Sequence, residues 1–336
     1  MKLTVAQRVL RFRAPVHTAF GVLHERTVLE VRLTGADGVV GRGEAAPLEP
    51  YDGVARGAVR AALAAYAGAL AGLGDAPGGD VLDACRAEAD LPQALAAVDL
   101  ALWDRAGRRA GRPVAALLSD HPVAAVPVNA TVGAEDRAGA AAACARAAAE
   151  GFGCVKLKVG LGDDAGRVAA ARAALGPAVE LRLDANGAWT VEEAVRTIGA
   201  LAPAGLELVE EPVHGIAALR AVRERVAVRV AMDETAREPG ALASAAADAV
   251  CLKISARGGI SGTLAAAALV RAVGGEAYLA STFDGPLGIA AAVHAAAALA
   301  PLPACGLATL GLFADVEHPL AVRDGAIAVP RGPGLL

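Results

Sequence analysis

The sequence predicts an α/β fold: a barrel of parallel strands alternating with helices, preceded by a mixed α+β segment. From about residue 125 short apolar strands alternate with Ala-rich helices: "AVPVNATV", "CVKLKVG", "VELRLDA", "LELVEEP", "VRVAMDE", "DAVCLKI" and "EAYLAST". Strands and helices at this interval make βα units and a parallel sheet. Seven such strands in succession favour closure into a barrel over an open sheet. An open doubly wound sheet would typically carry a glycine-rich phosphate turn, and none of these strands is followed by GxGxxG or GxxxxGK. Ahead of them, "RTVLEVRLTG", "ADG" and "VVGRGEAAPL" read as a hairpin. "GAVRAALAAYAGALAG" and "LPQALAAVDLALWDRAGRRAG" read as helices, the second ending before Gly111 and Pro113.

Composition narrows the function. The 336 residues suit two domains, or a barrel plus an elaboration. Apolar residues make up 55% and charged residues 20%, enough for a large core. The net charge of −4 is dispersed, with no basic stripe for nucleic acid. Five scattered cysteines without metal spacing fit a reducing, cytoplasmic setting. The N-terminus lacks the apolar stretch of a secretory signal. Residues 285–314 carry no charge, but Pro301, Pro303 and His294 interrupt them, so a buried helix and turn are expected rather than a membrane span. His294 is expected to be a satisfied core histidine and Trp189 a packing residue. The sequon at Asn129 lies in an expected barrel strand and is discounted.

The chemistry lies at the strand ends. Lys158, Asp184, Glu210, Asp233 and Lys253 each close a strand, at intervals of 26, 26, 23 and 20 residues. Strand C-termini form the face of a parallel barrel that carries active sites. Any one of these residues reads equally well as a cap or an ion pair, as "DAN" before Thr190 illustrates. Five at matching ends do not. Asp184, Glu210 and Asp233 cannot all ionise close together without a cation. An all-oxygen set with no His or Cys suits Mg²⁺ or Mn²⁺. Lys158 and Lys253 flank that set as two candidate bases on opposite faces of a substrate. Lys156, two residues before Lys158 on the same strand face, is expected to lower its neighbour's pKa by repulsion. The reaction this suits is removal of a proton next to a substrate carboxylate.

These residues also carry a resemblance. "KLK" at 156–158, "DANGAW" at 184–189, "VEEP" at 209–212, "MDE" at 232–234 and "LKIS" at 252–255 followed by Gly258 and Gly259 resemble the enolase superfamily, muconate-lactonizing subgroup. "TAFGVLHER", "GRGEAAPL" and "AAVDLALWDRAGRRAG" resemble its capping domain, so the likeness spans nearly the whole chain. It implies a modified (β/α)7β TIM-type barrel, residues 121–309, and an α+β capping domain, residues 1–120 completed by 310–336. It implies Mg²⁺ on Asp184, Glu210 and Asp233, and Lys158 and Lys253 as the acid/base pair working through an enediolate. Lys156, Asn186 and Glu234 are supporting residues, with Glu234 bonded to Lys253 or a metal-bound water. Arg26, after an expected mobile loop holding His17 and His24, is expected to pair a substrate carboxylate; Ser281 and Asp284 are expected to contact substrate. The substrate is a small carboxylate, and self-association is expected by analogy. "GEAAPL", "VPVNATV" and "ACGLATLGLFADV" resemble the o-succinylbenzoate synthases, which dehydrate their substrate by syn elimination in menaquinone biosynthesis. Gly285 and "EEP" depart from that pattern. Racemisation or epimerisation of N-acylamino acids or dipeptides, and muconate-type cycloisomerisation, are the alternatives; "LATLG" lacks the acids that would bind a dipeptide's ammonium.

Overall fold

Strand β1 (Lys2–Thr18) pairs antiparallel with β2 (Gly21–Thr34), and β2 with β3 (Val40–Ala45), in the chain's computed structural model, which describes residues 1–133, 135–314, 316–317 and 320–336. β2 and β3 are the expected hairpin. The expected mobile loop is the tip of a second hairpin, turning at Ala19 and Phe20. Helices Arg56–Ala71 and Pro92–Ala110 cover one face of this sheet, and helix Gly78–Glu88 packs against both of them. Leu29, Val31, Leu33, Leu63, Tyr66 and Val98 are buried between them. Helix Pro92–Ala110 ends on Gly111 in the left-handed conformation, as its sequence signals.

The barrel strands are β5 (Ala130–Val132), β6 (Cys154–Lys158), β7 (Glu180–Asp184), β8 (Leu206–Glu210), β9 (Arg229–Met232), β10 (Ala249–Leu252) and β11 (Glu276–Leu279), parallel and in chain order. Two further residues close the ring. Cys305 bridges to Val128 and Gly306 to Ala280, both in parallel, so residues 305–306 join the two edges. The expected first strand, "AVPVNATV", is split. Its first half is β4 (Ala125–Pro127), which pairs antiparallel with β13 (Ala326–Ala328), itself paired with β12 (Val322–Arg323). The C-terminal stretch also reaches the N-terminal sheet, where Phe313 stacks on Phe12 and the Ala314 N–H donates to the Arg11 carbonyl. Asp315, within the "ACGLATLGLFADV" motif, lies outside the described residues.

Alternation along β6 shows how the barrel is filled. Val155 and Leu157 are fully buried outward, each burial contributing about 1.5–3 kcal/mol. Lys156 and Lys158 face inward. One layer below, Arg182 is fully buried in a forked ion pair with Glu207, where a register shift interrupts the β7–β8 ladder. Its Nη1 donates to the Ala304 carbonyl at 2.6 Å, and its guanidinium lies 5.0 Å from the Tyr278 ring centroid. Arg182→Ala is expected to destabilise the fold by about 3–5 kcal/mol, because Glu207 is left charged and unpaired. Urea unfolding of that variant and of Arg182→Met/Glu207→Leu measures it; the double variant should recover much of the loss.

His294 is the expected core histidine. Its Nδ1 accepts from the Ala115 N–H and its Nε2 donates to the Leu335 carbonyl, both at 3.0 Å, and burial holds its pKa down. Trp189 packs against the core, and all five cysteines are free and buried. Among the described residues no helix is long and apolar enough to cross a membrane.

Candidate active site

Parallel pairing sets the strand ends level. Lys158 is opposite Asp184, and Asp184 opposite Glu210, so three successive strands deliver their charges at one height. Asp233 and Lys253 follow β9 and β10 directly. Asp184, Glu210 and Asp233 are all buried. The charges alternate. Lys158 Nζ is 2.6 Å from Asp184 Oδ2, and Lys156 Nζ is 2.9 Å from both Asp184 Oδ2 and Glu210 Oε1. Lys253 Nζ is 2.9 and 3.0 Å from the two Asp233 oxygens. All five strand-end residues predicted from sequence, and Lys156, therefore meet.

The carboxylates set the electrostatics of the two buried lysines. Burial alone would lower the pKa of Lys156, but Asp184 and Glu210 outweigh it and the net direction is up. Lys253 behaves alike, with Asp233 opposing burial. Asp184 is held low, Lys156 and then Lys158 overcoming the penalty of burial. Attraction to carboxylates, not repulsion between ammoniums, governs Lys156.

The donor set fits a hard divalent cation. The ligand oxygens of Glu210 and Asp233 lie within 4.8 Å of each other, and Asp184 joins them through the shared ammonium of Lys156; Cys251 Sγ falls in the same group, unlike the all-oxygen set expected, but burial favours its neutral thiol, a poor ligand for such an ion. Glu234 is pushed up to about 8, by burial and then by Asp233 and Asp184, and its buried Oε2 lacks a hydrogen-bond partner. Excess negative charge at the oxygen ends is what a bound cation relieves.

Supporting contacts follow from local turns. Asn186 takes a positive φ of 44°, which lets its Oδ1 accept from Lys158 at 2.7 Å and its Nδ2 donate to Glu234 Oε1 at 2.9 Å. Glu234 is therefore bonded to Asn186, not to Lys253. Thr190 and Glu193 form the capping box of the next helix, so Asp184 is not needed as a cap. Glu211, at φ 39°, accepts from the Asp233 and Thr235 N–H groups at 2.7 and 3.0 Å, which fixes the main chain at Asp233. The second Glu of "EEP" is thus a scaffold for the acid on the next strand.

A cavity of about 590 Å³ opens above the lysines. Pro15, Val16, Ala19 and Phe20 of the hairpin tip, with Leu48, Phe283 and Leu312, give it a largely apolar roof, and Asn129, Thr131, Ser281 and Thr309 add neutral polar groups beside the carboxylate of Glu135. Ser281 is in the wall as expected, its Oγ 2.8 Å from Thr309 Oγ1, and His17 also lines it. His24 is exposed on β2 and is not part of the lining. Arg26 and Asp284 are placed elsewhere. Arg26 is buried in β2 and donates to the Ala46 and Pro47 carbonyls at 3.0 and 2.8 Å. Asp284 is buried below the wall, accepting from Thr282. Both turn inward to the junction between sheet and barrel, where each helps neutralise the other.

Three residues escape sequence reasoning. Tyr278 donates to Glu210 Oε2 at 2.7 Å and Cys251 Sγ lies 3.2 Å from Lys253 Nζ. Both sit one inward position below a strand end, a signal that alternation supplies. Tyr51 comes from outside the barrel, donates to Asp233 Oδ1 at 3.1 Å and places its ring 5.8 Å from Lys253 Nζ. Nothing local in the sequence marks it.

The chain is similar to proteins of known structure and activity. Residues 1–119 match the N-terminal domain model of the mandelate racemase / muconate lactonizing enzymes, and residues 139–335 match the enolase C-terminal domain-like model. An o-succinylbenzoate synthase of Thermobifida fusca is 42% identical over 220 residues, 61% of this chain and 67% of that protein. The L-Ala-D/L-Glu epimerase of Bacillus subtilis is 32% identical over 336 residues, 96% of this chain and 92% of that one. The crystal structure of a dipeptide epimerase from Enterococcus faecalis, complexed with Mg and L-Leu-L-Tyr, superposes with a TM-score of 0.92 at 26% identity, covering 99% of this chain and 98% of that one. By both domain models and by an end-to-end relative, the chain belongs to the mandelate racemase / muconate lactonizing enzyme family of the enolase superfamily.

Proposed function

We propose that the chain is a Mg²⁺-dependent enzyme that removes the proton α to a substrate carboxylate, and that its reaction is the syn dehydration of the o-succinylbenzoate synthases. Residues 1–120, with 310–336, act as the cap over a barrel of residues 121–309. Asp184, Glu210 and Asp233 would hold Mg²⁺, which supplies positive charge beside the substrate carboxylate.

The observation that carries the reading is an asymmetry between the two lysines. Lys158 keeps 27% of its side chain exposed to the cavity, whereas Lys253 keeps 9% and is fixed by both Asp233 oxygens, Cys251 and the Tyr51 ring. A fixed ammonium stabilises developing negative charge; an accessible one can take up and return a proton. Lys158 therefore removes the α-proton and then, as an ammonium, protonates the departing hydroxide on the same face, releasing water. The apolar roof suits a carbocyclic acid, and the synthase relatives support the class.

A second reading, 1,1-proton transfer on a dipeptide or N-acylamino acid, is favoured by the end-to-end epimerase relative. Against it, the wall stretch Gly306, Ala308 and Thr309 carries no acid to meet a substrate ammonium, and among the described residues the one lining carboxylate outside the strand-end cluster is Glu135, beyond β5. Purified protein with Mg²⁺ is tested against the hydroxycyclohexadiene precursor of o-succinylbenzoate, and against dipeptides and N-acylamino acids in D₂O by NMR. Conversion of the precursor with no α-deuteration of the amino acid derivatives supports dehydration. Deuterium incorporation without dehydration replaces it with the second reading.

A further inference from the structure

A second buried charged group joins the barrel mouth to the N-terminal sheet. Glu44, near the end of β3, reaches the turn that follows β11. Its Oε1 accepts from the Gly285 N–H at 2.6 Å, and its Oε2 is buried without a hydrogen-bond partner. Asp284, also buried, accepts from Thr282 Oγ1 at 3.1 Å. The packing is tight. A Cβ on Gly285 would collide with the Glu44 carboxyl, and one on Gly288 would sit 3.0 Å from Glu44 Oε1 and 2.8 Å from Asp284 Cβ. With Glu44 in this position, residue 285 has no room for a side chain. Two carboxyls and the guanidinium of Arg26 thus share a dry space. Ionising both carboxyls leaves one negative charge uncompensated, which burial penalises heavily.

We propose that Glu44 is a positioning residue for the cavity: as a neutral acid it packs the dry space beneath the Ser281–Gly285 turn, and on ionising its uncompensated charge draws water into that space and loosens the turn, although the Gly285 amide bond by itself favours the carboxylate. The proposal rests on the reading of the cavity as an active site. Ser281, Thr282 and Phe283 of that turn line the cavity wall. Phe283 is held at φ 59°, which a bulky residue keeps only when its surroundings impose it. Burial, then the charge of Asp284, push Glu44 up to about 8, and Asp284 is itself raised by burial. The other charged groups facing the pair are Arg26 and Glu30 from β2, Asp52 acting on Arg26, and Lys253 acting on Asp284. A carboxyl near 4.5 when unfolded and near 8 when folded retains its proton on folding, so the stability tied to it declines as pH rises between those values.

Hydrogen exchange of the peptide containing Gly285, corrected for intrinsic rates and followed from pH 6 to 10, tests this together with the pH dependence of kcat and KM. In the wild type, protection of the turn is expected to fall about tenfold per pH unit up to about pH 8 and to level off above it, with KM rising in parallel. Glu44→Gln keeps an acceptor oxygen and cannot ionise, so both transitions should vanish. Asp284→Asn removes the neighbouring charge and should move them to lower pH; it serves if the first variant does not fold. A wild-type transition persisting in Glu44→Gln, or one unmoved in Asp284→Asn, overturns the proposal. If exchange behaves as expected but no tested substrate turns over, the activity reading fails and the pH-dependent anchoring of the turn stands. If turnover is found and the variants keep the wild-type transition, the positioning role alone fails.

Discussion

Lys158→Ala is expected to lower turnover to the upper end of the range for losing a general acid–base group, about 10⁴-fold, with little change in substrate binding. The size follows from double use: one ammonium serves both the proton removed and the hydroxide that leaves. Lys158→Arg should be as inactive, because a guanidinium does not give up its proton near neutral pH. Lys253 should respond differently. Lys253→Ala removes a buried cation that Asp233 holds at 2.9 Å, whereas Lys253→Arg restores the charge and should recover part of the activity. Steady-state kinetics on the four variants separates the two lysines. Equal inactivity of Lys158→Arg and Lys253→Arg, with folding intact by circular dichroism, would point to two proton-transfer bases and to racemisation.

Asp184→Asn should lose metal affinity by at least about 100-fold and turnover by at least as much, since a ligand counts for more than the groups that merely orient one. Its carboxylate is the counter-charge of both Lys156 and Lys158. Replacing it therefore removes a metal ligand and also frees the two ammoniums from a shared oxygen. Titration calorimetry with Mg²⁺, alongside kinetics after chelation and Mg²⁺ return, measures both effects. Full activity in the chelated wild type would sink the metal assignment. The chain should stay folded on chelation, because Lys156 and Lys253 pair with Asp184, Glu210 and Asp233 and offset their charge.

The strand-end residues were legible because a parallel barrel turns sequence period into spatial level. Once the βα interval is recognised, Lys158, Asp184, Glu210, Asp233 and Lys253 share a rim without any long-range information. Arg26 and Asp284 were legible as charged residues near that rim but not in direction. Their side chains answer to each other and to Glu44, which is 18 residues from one and 240 from the other by residue number. No local periodicity reports such a meeting. Tyr51 was hidden for the same reason, and β4 because its partner β13 lies some 200 residues later.

Residues 305 and 306 are the last stave of the ring, and they bear on how the molecule is made. Until they leave the ribosome, β5 and β11 are both open edges, and the Arg182 anchor on Ala304 has no acceptor. Unpaired parallel edges are prone to association while a chain is still growing. A nascent chain stalled before residue 306 should therefore bind holding chaperones and resist catalytic assembly, however complete its first seven strands. The ring is completed only once residues 305–306 are in place, so the catalytic rim forms in one closing step rather than strand by strand.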